Sequence, residues 1–114
     1  MGDERILCII EELERVRGRR MLFVGDNSSS AAGSFLCGFD CACMILGLHL
    51  PYEMRQQATE ERGWPLSAEA WSVSAMRERG LTDEAIADEM IAINIGAWRH
   101  MAGESVARNP EDVR

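Results

Sequence analysis

Lysine is absent: all twelve basic side chains are arginine. That excludes Schiff-base chemistry, a phosphate-loop lysine and a Ser-Lys dyad at once. Proline is scarce, at three residues, and only six isoleucines and valines precede position 73. Set against abundant Ala, Leu, Met, Glu and Arg, this balance favours helix over strand. The chain opens on a charged amphipathic stretch and shows no signal sequence, so Cys8, Cys37, Cys41 and Cys43 are expected to be free thiols in a reducing cytoplasm. The longest weakly charged stretch, 27–49, contains Asp40 and is punctuated by Gly33, Gly38 and Gly47. It reads as a buried helix of a soluble fold, with no membrane span.

The 114 residues suffice for one domain with a single core. The formal charge of -7 repels phosphate backbones and anionic lipid, which argues against nucleic acid and favours a partner with a basic surface.

The pattern predicts an all-α fold, a compact bundle of about five helices. Ile6, Ile9, Ile10, Leu13 and Val16 recur at helical spacing over 3–17, with Gly18 as the stop. Residues 19–25 form a short apolar connector, read as extended. A second helix, 28–46, follows the Asp26 to Ser30 capping run and carries Asp40 as its only charge. Ser30, Ser34, Gly38 and Ala42 recur along it every four residues, a seam of small side chains that admits close approach of another helix. A third helix is expected over 52–62 with Pro51 in its first turn, a fourth over 68–79 capped by Ser67, and a fifth over 83–101 capped by Thr82. Helices two and five are the central pair. The domain is placed at 1–103, with 104–114 as a polar tail.

On the fifth helix, apolar residues from Ile86 to Met101 sweep an arc of roughly 200° at helical pitch. Asn94 falls at its centre. A buried amide without partners costs about 1–3 kcal/mol, so a polar group must face it. Asp40, the other isolated polar residue on an apolar helix, is the candidate, and the two define a ligand site or buried polar pair to which His49 and His100 are added as the only histidines. Cys37 and Cys41 share a helical face, whereas Cys43 lies some 160° from Cys41 at helical pitch. With no paired-cysteine or H-E-x-x-H spacing, neither a metal nor another cofactor is assigned, and no catalytic residue is named. Arg19 and Arg20, followed by Ser28 and Ser29 at a helix N-terminus, form a candidate anion site. Glu11, Glu12, Glu60, Glu61, Asp88 and Glu89 are the acidic candidates for contact with a basic partner.

Residues 76–90 superficially resemble a helix-turn-helix, with Gly80-Leu81-Thr82 as the turn, yet the following helix is apolar and starts acidic, which argues against a recognition helix. A second resemblance spans about 15–101. Arg19-Arg20-Met21-Leu22-Phe23-Val24-Gly25-Asp26, then Ser30, Phe35-Leu36 and Gly38-Phe39, is similar to the opening of a family of small uncharacterised bacterial proteins patterned R-P-x-M-Y-x-G, then S-L, then F-L-x-G-Y. Gly63-Trp64, Ser67 to Trp71 and Asp83-Glu84-Ala85 resemble that family's second half. Arg20 departs from it by replacing the proline. The resemblance implies a small bacterial cytosolic protein, with toxin neutralisation among the roles of its members, and it carries no catalytic signature. The expected function is an acidic protein-binding module, inhibitory or regulatory, with self-association through the wide apolar arc of the fifth helix. The alternative is a small-molecule or metal-binding helical protein, catalytic or not, with its pocket around Asp40 and Asn94.

Overall fold

A computed structural model describes residues 4–67 and 71–107. Among the described residues every regular element is a helix: α1 (Glu4–Gly18), α2 (Arg20–Phe23), α3 (Ser29–Ile45), α4 (Tyr52–Glu61), α5 (Val73–Glu78) and α6 (Asp83–Ala107). The fold is the expected helical bundle with one addition. The 19–25 connector is not extended: residues 20–23 close a single helical turn, and the Val24 and Gly25 amides return to the Arg20 and Met21 carbonyls.

The long helix α6 organises the rest. At 1.5 Å per residue its 25 residues span roughly 38 Å, close to the 43 Å long axis of the molecule. α1, α3, α4 and α5 all pack against it. Between Met90 and Trp98 its side chains are buried on every side, Gly96 alone being partly open. The apolar arc expected to leave a surface for self-association is therefore covered within the chain. α1 contributes Ile6, Leu13 and Val16 to the core, and α3 contributes Ala32, Leu36 and Cys43. Trp98, fully enclosed, is the bulkiest of the completely buried side chains, and an aromatic ring of this kind buries about 150–250 Å².

The punctuation follows backbone chemistry. Ser28 caps α3, its side chain accepting from the Ala31 amide, and Thr82 accepts from the Ala85 amide at the head of α6. After α3, Gly47 takes φ 90° and the Leu48 amide returns to the Cys43 carbonyl, a hydrogen bond that closes the helix end. Pro51 stands one residue earlier than predicted, as the extended cap before α4.

The fourth predicted helix is the main departure. α5 begins at Val73, and Ser72 before it adopts a left-handed φ of 56°, the only non-glycine residue to do so among those described. Its hydroxyl donates to the Pro65 carbonyl at 2.6 Å, which holds the turn. Trp71 is thus released from helical geometry and its ring is buried against the core. The part of the prediction falling on 68–70 lies outside the described residues. At the other end, α6 continues through Ala107, past the predicted stop at Gly103 and into the segment expected to be tail.

Candidate functional site

Four elements converge on one polar cluster. Asp40 comes from α3, Arg55 from α4, Trp71 from the turn before α5 and Asn94 from the middle of α6. Asn94 is completely buried. Its amide nitrogen donates to Asp40 Oδ2 at 2.9 Å, and its Oδ1 accepts from Trp71 Nε1 at 3.0 Å and from Arg55 Nε at 3.3 Å. Arg55 Nη2 donates to Asp40 Oδ2 at 2.9 Å, and the guanidinium lies 5.2 Å from the centre of the Trp71 ring. The demand for a polar partner opposite Asn94 is met by the one carboxylate of α3. Sequence reasoning missed Arg55 and Trp71; the signal was faint, Arg55 being one arginine among twelve and Trp71 lying in a predicted helix.

Burial pushes the Asp40 carboxyl above its ordinary pKa, against the opposing pull of Asn94, Arg55 and Trp98. Trp98 Nε1 and Asp40 Oδ1 are both buried without a hydrogen-bond partner among the described residues, and the indole favours the ionised form of the carboxyl.

Above the cluster lies an open cleft of about 280 Å³. Asp40, Arg55 and Trp71 line it on the polar side, and Cys37, Cys41, Met44, Leu50 and His49 on the other. His100 is elsewhere. It lines a separate cleft of about 310 Å³ with Arg17, Arg62 and Arg99, and its Nε2 stands 2.9 Å from Glu61 Oε1. The two histidines do not share a site.

At the candidate anion site, Ser28, Ser29 and Arg20 are engaged by carboxylates of the chain itself. Asp83 accepts from the Ser29 amide at 2.9 Å and from the Ser29 hydroxyl at 2.6 Å, and those two bonds, ahead of Arg77, hold its pKa below the ordinary value. Asp26 accepts from the Ser28 amide at 2.9 Å. Arg20 donates to Asp88 at 3.1 Å and lies 3.6 Å from Glu84, while Arg19 is exposed.

The acidic candidates divide in the same way. Arg17 grips Asp88 through two hydrogen bonds, at 3.0 and 2.9 Å, and Arg62 grips Glu89 at 2.8 and 2.6 Å, with Trp64 Nε1 added at 2.9 Å. These forks hold both carboxyls below their ordinary pKa values. Asp88 and Glu89 clamp α6 to α1 and to the end of α4. Glu12 pairs with Arg15 at 3.5 Å and Glu61 with His100. Glu11 and Glu60 are exposed.

The outer face of α3 has the opposite character. Asp40, its one charge, turns inward to Asn94 and Arg55. Ser30, Ser34, Gly38 and Ala42, the small-residue seam, are all exposed, as are Cys37 and Cys41. At the C-terminal end Met44, Ile45 and Leu46 are 50%, 80% and 71% exposed. No helix of the described chain lies against this seam. Among the described residues no three His, Cys, Asp or Glu side chains are grouped as a metal cage, and no helix is long and apolar enough to cross a membrane.

Compared with models of protein families, with curated proteins and with solved structures, the chain matches none.

Proposed function

We propose that this chain is a protein-binding module, inhibitory or regulatory, that docks an amphipathic helix of another protein along the outer face of α3. The observation that carries this reading is the uncharged, exposed face itself. A chain with 27% charged residues presents a 17-residue helix whose open side bears none. Exposed Ile45 and Leu46 would lose unfavourable contact with water on docking, and Gly38 and Ala42 let a second backbone come close.

The partner's chemistry follows from charge. A net charge of -7 steers basic surfaces toward this molecule and repels acidic ones, including a second copy of itself. The fitting occupant is a helix with a small or apolar stripe flanked by arginine or lysine. The acidic contribution comes from the field of the whole molecule more than from Asp88 and Glu89, which are spent on internal arginines.

Photocrosslinking in the native host tests this, with a photoreactive residue at position 42 and, separately, at position 11 on α1. The reading expects a crosslink from position 42 to one distinct protein, mapped to a helix with basic residues beside small apolar ones. Crosslinks only between copies of this chain, or to a partner from position 11 alone, would overturn it.

A further inference from the structure

We propose that Cys37, Cys41 and Met44 form a site for a soft monovalent metal ion of the Cu(I) class, with His49 at its rim. Positions 37, 41 and 44 follow one another at i, i+4 and i+7, so their Cβ atoms lie on one helical face at neighbour spacings of roughly 5–6 Å. Both thiols are exposed, Met44 is half exposed, and all three side chains line the cleft beside α3 together with His49. All three side chains are exposed and so free of core packing, and the proposed site requires their sulfurs to converge on the ion by change of rotamer.

The donor set decides the metal. Thiolate and thioether sulfur are soft ligands and select Cu(I). Zn(II) is held by thiolate, imidazole and carboxylate in a tetrahedral cage, a set in which a methionine thioether has no place. Cys43 does not belong to the site: it points into the core, where burial raises its pKa. Cys8 lies on α1 and outside the cleft. On binding, the two thiols release their protons to solvent and the ion enters as Cu(I), so no electron is transferred. The bis-thiolate complex carries one net negative charge; Arg55 and Asp40, paired with each other, line the polar side of the same cleft. This site depends on the sulfur stripe alone and stands whether or not a protein helix docks on α3.

The test is titration of the reduced full chain with Cu(I), under argon, against a chromophoric Cu(I) chelator. One equivalent is expected to leave the chelator, with sulfur-to-copper charge-transfer absorption appearing in the ultraviolet. Cys37→Ser and Cys41→Ser are each expected to abolish the transfer, Met44→Leu to weaken it and Cys8→Ser to leave it intact. All four positions are exposed, and unchanged far-ultraviolet circular dichroism verifies the fold of each variant. Failure of the wild-type chain to withdraw Cu(I), withdrawal by Cys37→Ser and Cys41→Ser equal to that of the wild type, or loss in Cys8→Ser would overturn the site; an unchanged Met44→Leu would take the thioether out of the donor set and overturn the assignment to Cu(I). Equal uptake of Zn(II) under the same conditions would overturn the assignment to the Cu(I) class.

Discussion

Asn94 donates to Asp40 across 2.9 Å, joining the centre of α6 to the one charge of α3. Because Asn94 also accepts from Trp71 and Arg55, its loss strands an indole N–H and leaves the carboxylate with Arg55 alone as a sound partner. Asn94→Leu is expected to lower stability by about 1–3 kcal/mol, the cost of buried polar groups left unpaired. Asp40→Asn keeps an acceptor for Arg55 while removing a costly buried charge, so it is expected to cost less. Urea denaturation of the two variants checks the order.

The pH dependence separates these carboxyls. Asp88 and Glu89 titrate below their ordinary values of 3.8 and 4.5, held there first by Arg17 and Arg62. Each contributes stability that is fully present above the unfolded value and is lost as pH falls through the depressed folded value. Asp40 has the opposite sign. Its raised pKa means that ionisation opposes folding as pH rises past 3.8, and acid relieves that cost. Thermal midpoints measured down through this range are expected to fall less steeply in Asp88→Asn than in the wild type, and more steeply in Asp40→Asn. Parallel curves would contradict both assignments.

Two helical glycines are expected to respond with opposite signs. A Cβ at Gly96 would stand 3.1 Å from the Ala58 Cβ, where α4 crosses α6, and a short side chain fixed to the backbone cannot yield. Gly96→Ala is expected to destabilise by about 1–3 kcal/mol, as overpacking does. At Gly33 the obstacle is the Met90 methyl at 3.3 Å, the free end of a flexible side chain. Gly33→Ala is expected to gain up to about 1 kcal/mol from helix propensity. Calorimetric unfolding of both variants decides the signs.

Gly38 is the clean probe of the open face. An added Cβ there meets nothing within 4 Å, so Gly38→Ala is expected to stabilise the isolated chain by up to about 1 kcal/mol. Gly38→Leu is expected to be tolerated in the isolated chain as well, yet to weaken docking, because the partner backbone can no longer approach. Unfolding midpoints paired with binding measurements test the divergence.

Periodicity and capping chemistry made most of the bundle legible. Thr82 and the acids after it marked the start of α6, and Ser28 lay within the capping run that starts α3. The pairing of Asn94 with Asp40 was legible for an energetic reason, since each was the lone polar residue on an apolar helix. The turn at Ser72 was not, because its left-handed backbone is held by a hydrogen bond to Pro65, seven residues back, which no local propensity encodes. Arg55 escaped notice because a guanidinium recruited over a tryptophan is defined by tertiary packing. The small-residue seam of α3 was expected to admit another helix; no helix of the described residues packs on it, and spacing alone did not say that it faces outward. That depended on which side of α3 Asp40 and Leu36 would claim for the interior.

The most direct test of docking on α3 compares Ala42→Arg with Glu11→Arg for binding to the protein crosslinked from position 42. Both positions are exposed and helical, so neither substitution is expected to shift the unfolding midpoint appreciably. The account predicts that Ala42→Arg abolishes binding while Glu11→Arg retains most of it. Equal binding by the two variants, or loss in Glu11→Arg alone, would contradict it.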